Sequence, residues 1–163
     1  MTKAVLKNGW DSLVKMFTSK SGQGHFVVVG CGRLGANIAN TLYSEKMSVA
    51  VIDKDRSAFR RLSPEFGGKI LLGEGIELPL LYEADVRGAA MMIAVTNDDN
   101  TNILISQMAR EMFHINRVIA RISDPEKAGL CEAFDISVIS PIVLAKKEID
   151  SILGIVSETD GGR

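Results

Sequence analysis

The residues with the clearest chemical potential are Gly30-Cys31-Gly32-Arg33-Leu34-Gly35, a complete G-x-G-x-x-G, and the later Asp53. In such a turn the first glycine permits the bend, the second lets a pyrophosphate approach the backbone, and the third lets helix and strand pack closely. Free N–H groups and the positive dipole end of the following helix attract phosphate. Asp53 follows roughly 20 residues on, where an acid accepts hydrogen bonds from ribose hydroxyls. Its charge repels a 2′-phosphate, which favours NAD(H) or an adenosine phosphate (AMP, ADP or ATP) over NADP. The expected chemistry is therefore binding of a mononucleotide or dinucleotide, with no catalytic group and no metal site. His25 and His114 are isolated, and Cys31 and Cys131 have no metal-ligand spacing. Cys31 reads as an inert small residue, with a redox-sensitive thiol as the alternative.

The elements that must position these residues are legible in the apolar pattern. Phe26–Val29 suits a strand buried on both faces, and Leu34, Ile38 and Leu42 then fall at helical spacing. Val49–Ile52 is a second strand, ending at Asp53. Ser57–Phe66 reads as a short helix stopped by Gly67-Gly68 in left-handed conformation. Lys69–Leu72 is a third strand closing on Gly73-Glu74-Gly75, and Glu77–Ala84 another short helix. Met91–Val95 is a fourth strand. Thr96-Asn97-Asp98-Asp99 then caps a helix to about Phe113, in which Leu104, Met108 and Met112 share a face. Arg117–Arg121 is a fifth strand, and Asp124-Pro125 is an N-cap with proline at the first helical position, opening a helix to about Phe134. Ser137–Ile139 is a sixth strand, followed by a last helix from Pro141 to about Leu153. Strands alternating with helices require parallel pairing and right-handed crossovers. The fold class is α/β, a Rossmann-like doubly wound six-stranded parallel sheet in three layers. Its expected order is 3-2-1-4-5-6, with ligand binding at the carboxyl ends of strands one and four.

Ahead of the sheet, Leu6, Trp10, Leu13, Val14 and Phe17 define an amphipathic helix over Lys3–Phe17, and Ser19–Gly24 is a flexible linker. That face packs either on its own domain or on a neighbouring subunit or membrane protein. The domain reading is an N-terminal helix and linker over 1–23, a nucleotide-binding domain over 24–156 and a flexible tail over 157–163. Bulk properties agree with one domain: 163 residues, and a formal net charge of −1 that leaves no footprint for nucleic acid or an anionic membrane. The longest apolar run, Ala89–Val95, is too short to span a bilayer. The amino-terminal apolar residues are spaced, unlike a signal peptide. Two cysteines without a paired framework suit a reduced cytosol.

Several of these segments resemble the regulator-of-potassium-conductance (RCK) domain, also called the KTN or Trk-A amino-terminal domain. The matching residues are Gly30–Gly35 with Arg33 inside the turn, Val51-Ile52-Asp53-Lys54-Asp55, Gly73-Glu74-Gly75, Ala94-Val95-Thr96-Asn97-Asp98-Asp99 and Asn102. They continue through Ile119-Ala120-Arg121, Asp124-Pro125-Glu126 and Ile139-Ser140-Pro141, so the resemblance covers nearly the whole sheet. It implies a cytosolic nucleotide-binding subunit that gates a potassium channel or transporter. Arg33 would pair with the phosphates, Asp53 would hold the ribose, and Asp55 would lie on the rim. Gly73-Glu74 would line the adenine pocket. Thr96, Asn97 and Asp98 would face the distal half of a dinucleotide, unless they are only a helix cap. The family usually has Gly-Asp-Ala-Thr where this chain has Gly73-Glu74-Gly75-Ile76, so the threonine's contribution is missing.

Family subunits usually carry a second carboxyl-terminal lobe, and this chain reads as a lone amino-terminal lobe. Regulation would then need a separately encoded potassium channel or transporter, which would bring this cytoplasmic protein to the inner face of the membrane. A small NAD-dependent oxidoreductase is the enzymatic alternative. It is disfavoured because no Tyr-x-x-x-Lys occurs and no further domain forms a substrate pocket. A generic adenine-nucleotide sensor unrelated to ion flux is the third reading. Finally, Ile142, Ala145, Ile149, Ile152, Leu153 and Val156 make a stripe like a coiled-coil seam. The corresponding family helix contributes to subunit pairing, so a homodimer or a ring of dimers is expected.

Overall fold

A computed structural model describes residues 24–155. The expected helix over Lys3–Phe17, its linker and the tail over 157–163 lie outside the described residues, as does Val156 of the last stripe. Six strands form one parallel sheet: β1 (His25–Val29), β2 (Ser48–Asp53), β3 (Lys69–Leu72), β4 (Ala89–Ala94), β5 (Val118–Arg121) and β6 (Ser137–Ile139). Their order is β3-β2-β1-β4-β5-β6, as the alternation of elements requires. The helices are α1 (Arg33–Ser44), α2 (Leu78–Glu83), α3 (Asp99–Glu111), α4 (Pro125–Glu132) and α5 (Pro141–Leu153).

Register brings the chemically interesting ends together. Val29 pairs with Ile52 on one side and with Ala94 on the other, and Asp53 pairs with Leu72. The ladder continues past the strands, since Gly30 N–H donates to Ile52 O, Gly73 N–H to Asp53 O and Val95 N–H to Val29 O. Four strand ends therefore terminate at one level, and the loops leaving them share one edge of the sheet.

The central strands alternate their side chains between two cores. Phe26, Val28, Val49, Val51, Met91 and Ile93 face α1 through Ala36, Ala39 and Leu42. Val27, Val29, Ala50, Ile52, Met92 and Ala94 face α2 and α3 through Leu81, Ile103, Ile105 and Ala109. Phe26, Val27, Val28, Ile52 and Met92 are at most 1% exposed, and each such burial stabilises by about 1.5–3 kcal/mol. The three layers follow directly: helix, sheet, helix.

Four local expectations are corrected. No helix runs over Ser57–Phe66; a 3₁₀ segment over Arg56–Arg61 ends there, with Leu62 already extended. Pro64 keeps a helix from resuming, because Ser63 before it is driven out of helical space. Gly67 and Gly68 are not left-handed; among the described residues the glycines with positive φ are Gly30, Gly73 and Gly154. Along α1, Leu34 is 42% exposed, and the buried stripe is Gly35, Ala36, Ala39 and Leu42. Close approach of the helix to the sheet selects small residues, which a search for large apolar ones overlooks. Along α3, Leu104 and Met112 are exposed, and Ile103, Ile105 and Ala109 make the contact instead, together with the polar Asn102 and Ser106.

The last helix behaves differently from the others. Apart from Pro141 and Asp150, every residue of α5 is exposed, including Ile142, Ile149, Ile152 and Leu153. Ser140 caps its start by accepting from Val143 N–H, and Gly154 in left-handed conformation ends it. Lys146 Nζ pairs with the buried Asp150 one turn on, at 2.5 Å. Its apolar stripe is thus not part of the sheet's own core.

Candidate functional site

The edge where β1, β2, β3 and β4 end holds a cleft of about 380 Å³. Gly30, Gly32, Asp53, Lys54, Asp55, Gly73, Glu74, Gly75, Thr96, Asn97 and Asp98 all line it. It is the crevice at the point where strand order reverses, the usual ligand position in open α/β sheets.

The glycine turn is shaped by three different constraints. Gly30 has φ +101°, and a Cβ there would meet the Val95–Thr96 backbone within 2.9 Å. A Cβ on Gly35 would lie 1.8 Å from Gly30 O, so this glycine is what lets α1 start against the turn. Gly32 differs: nothing lies within 4 Å of its Cβ position. That open space, at the N-cap of α1 and facing the cleft, is a cradle that a Cβ would fill and that a phosphate group fits.

Asp53 does two jobs at once. Its Oδ2 accepts from Cys31 N–H at 2.6 Å and its Oδ1 from Asp55 N–H at 2.8 Å. A carboxylate has further lone pairs, so it can accept ribose hydroxyls while it holds the turn. Asp55 caps the 3₁₀ segment, accepting from both Ser57 N–H and Ser57 Oγ at 2.8 Å. Those bonds hold its carboxyl below the usual aspartate range. Lys54 Nζ lies 3.4 Å from Glu74 Oε1, an exposed pair bridging the β2 and β3 loops, and such pairs contribute little. Gly75 is a steric requirement, since a Cβ would sit 2.2 Å from Val29 Cγ1.

The opposite wall is a hydrogen-bonded block. Asn102, fully buried in α3, accepts from Thr96 N–H at 2.9 Å and from Thr96 Oγ1 at 2.7 Å. Its Nδ2 donates to Thr96 O and, at 2.8 Å, to Arg121 O. Arg121 in turn donates to Asn97 Oδ1 at 3.0 Å. Asp98 Oδ1 accepts from Thr101 N–H at 2.7 Å, capping α3, and hydrogen bonding from the Thr101 side chain and then its backbone lowers its pKa. Asp99 accepts from Ser123 and Asp124 N–H, fastening the loop after β5 to the start of α3. The helix-cap reading of Thr96-Asn97-Asp98 is therefore realised, and all three residues also line the cleft.

Four of the expected site residues do not line it. Cys31 lies behind the turn, fully buried, and burial pushes its thiol up to about 11, with the Asp53 charge adding to the effect. Gly35 is buried at the helix–strand contact. Arg33 and Leu34, exposed at the start of α1, do not line it, and Arg33 has no partner among the described residues. Conversely, Val29, Ile52, Ala58, Arg61, Val95 and Thr101 line the cleft without having been singled out. The strand-end apolar residues follow from position alone, but Arg61 sits in no motif.

Comparison with known proteins adds the following. The sequence model of a family described as TrkA-N domain matches residues 26–141. The Trk system potassium uptake protein TrkA of Streptomyces coelicolor is 40% identical over 118 residues, covering 72% of this chain and 53% of that protein. The chain thus spans about half of that relative. Among solved structures, the TrkA-N domain of the inner membrane protein ybaL from Escherichia coli superposes with a TM-score of 0.69 at 19% identity, covering 84% of this chain and 99% of that one. GsuK bound to ADP gives 0.68 at 23% identity, covering 87% and 36%. The GsuK channel bound to NAD gives 0.64 at 18%, covering 99% and 31%. At these identities the structural likenesses show the fold.

Proposed function

The chain belongs to the TrkA-N domain family, and on that premise we propose that it is a nucleotide-sensing regulatory subunit of a potassium-transport system. The observation that carries the reading is the cleft itself: an open cradle over Gly32 at the N-cap of α1, beside a carboxylate that ends β2 with lone pairs to spare. Phosphates would lie over Gly30–Gly32, the ribose on Asp53, and the base toward Asp55, Gly73 and Glu74. The distal part of a dinucleotide would meet Thr96, Asn97 and Asp98. NAD(H), AMP, ADP and ATP fit that arrangement. NADP does not, because a 2′-phosphate would face Asp53. GsuK in its ADP-bound and NAD-bound forms has the same fold, which supports this choice of ligands.

The protein has no enzymatic role in this reading. It would act in the cytoplasm, on a separately encoded channel or transporter, and pair through α5 as a homodimer or ring of dimers. Among the described residues no helix is long and apolar enough to cross a membrane, so the partner would supply the membrane span. Ligand occupancy would shift the population of subunit arrangements, a signal that needs no catalysis. The test is a calorimetric titration with NAD, NADH, NADP, AMP, ADP and ATP, paired with capture of membrane proteins by the tagged chain. Saturable binding of NAD(H) or an adenine nucleotide, with NADP much weaker, and recovery of a potassium transporter subunit are expected. Equal affinity for NAD and NADP would refute the role of Asp53. Robust turnover of NADH with carbonyl substrates would refute the regulatory reading.

A further inference from the structure

Arg33 is the cation that the family motif places on the phosphates, yet it does not line the cleft, whereas another arginine, Arg61, does. Arg61 ends the 3₁₀ segment that follows β2. Its backbone is pinned to α1 by one side chain: Asn40 Nδ2 donates to Arg61 O at 3.3 Å, and Asn40 Oδ1 accepts from Ser63 N–H at 2.9 Å. The neighbouring Ala58 and Leu62 are buried against the same helix. The backbone of Arg61 is thereby held against α1, and the residue lines the cleft together with Gly32, Asp53, Lys54 and Asp55.

Charge accounting singles this group out. The carboxylates lining the cleft are Asp53, Asp55, Glu74 and Asp98; the cations are Lys54 and Arg61. Lys54 is paired with Glu74. Asp53 accepts from Cys31 and Asp55, and Asp55 accepts from Ser57. Among the described residues Arg61 forms no ion pair and no side-chain hydrogen bond. Its charge still reaches both Asp55 and Cys31, whose thiol lies just behind the glycine turn. Arg60 also acts on Asp55 but does not line the cleft. A polyanion entering a cleft with more acids than bases needs a cation near the turn, and one is in place.

We propose that Arg61 pairs with the 5′-phosphate groups of the bound nucleotide, so that phosphate number sets affinity in this cleft. A guanidinium offers paired N–H donors that match a phosphate's oxygens, in a water-accessible site where a lone ammonium would be weaker. The proposal deepens the nucleotide-binding reading and rests on it.

The experiment titrates the whole chain with adenosine, AMP and ADP, for the wild type and for Arg61→Gln, Arg61→Lys and Arg60→Gln. Arg61 is exposed, so its variants should melt with the wild type, and circular dichroism checks that they do. Arg61→Gln should weaken ADP by about tenfold to a hundredfold, the range for a lost charged hydrogen bond, and adenosine by less than about twofold. Arg61→Lys should fall between. Arg60→Gln should stay within about twofold for every ligand, which separates a direct contact from a general change of field. Unchanged ADP affinity in Arg61→Gln overturns the proposal while leaving the nucleotide reading intact. So does an equal loss for adenosine, which would put the contact on the base or ribose. A wild-type chain that binds neither ADP nor adenosine overturns both.

Discussion

Asp53 Oδ2 accepts the backbone N–H of Cys31 at 2.6 Å, so the acid that ends β2 holds the glycine turn that ends β1. One carboxylate thereby holds the glycine turn and, in the proposed function, would also offer lone pairs to a ribose. Asp53→Ala should show both losses together. Calorimetry should find nucleotide binding weaker by roughly 1–3 kcal/mol, and chemical denaturation should find the fold less stable by a similar amount. A variant with wild-type stability and lost binding would mean that the bonds to Cys31 and Asp55 contribute nothing to the fold.

The two later glycines of the turn should separate binding from folding. Gly32 has φ −68° and an open Cβ position, so Gly32→Ala should fold normally and gain up to about 1 kcal/mol from a less flexible unfolded chain. Its added methyl occupies the phosphate cradle, and affinity should fall by at least about tenfold, a difference of about 1.4 kcal/mol. Gly35→Ala should behave oppositely: a Cβ 1.8 Å from Gly30 O must displace backbone and cost roughly 3 kcal/mol or more. Thermal melts of the two variants side by side decide the matter.

Much of this was readable before any coordinates. Sheet order followed from the alternation of apolar runs with capped helices, and Asp98, Asp124-Pro125 and Ser140-Pro141 do start α3, α4 and α5. The placement of the glycine turn and Asp53 at one cleft is legible because a G-x-G-x-x-G between strand and helix, with an acid ending the next strand, fixes where both stand. The 3₁₀ segment was not, since Ser57–Phe66 has helical composition and only Pro64 hints at the break. Leu34, Leu104 and Met112 fit the helical period by size, but contact with the sheet falls on smaller or neighbouring side chains. Asn102 matched the family, but its tie to Thr96 and Arg121 spans three elements that no local pattern connects. Arg61 belongs to no spacing rule; only the fold of its segment onto α1 brings it to the cleft.

The exposed stripe of α5 predicts assembly. Among the described residues Ile149 and Ile152 are 56% and 76% exposed, an apolar face that a second copy of the chain would cover. Light scattering at micromolar concentration should give about twice the chain mass or a multiple of it. Ile149→Asp with Ile152→Asp should give a folded monomer, because unpaired carboxylates are strongly penalised in an apolar interface. A wild-type monomer would refute the pairing. An unfolded double variant would show that the stripe serves the domain itself.

Cys31 predicts an alkaline limit. Its thiol ionises at about 11 in the fold against 9.0 for an ordinary thiol, so the native state favours the protonated form. That contribution is complete below pH 9 and is lost as pH rises through 11. Stability should therefore fall across that window, with Cys31→Ala removing this part of the slope. At neutral pH a thiol reagent should label native Cys31 far more slowly than the unfolded chain. Rapid native labelling would instead make it a reactive thiol.

The block built on Asn102 and Asp99 has a consequence measured in time rather than energy. Loop amides at the mouth of a cleft ordinarily exchange their hydrogens with water almost freely. Here the amides of Thr96, Ser123 and Asp124 are bonded to side chains of α3, and Asn102 is fully buried. They can exchange only when α3 lifts from the ends of β4 and β5. In deuterated water these three loop positions should keep their protons nearly as long as the central strands. The wall they build is the still one.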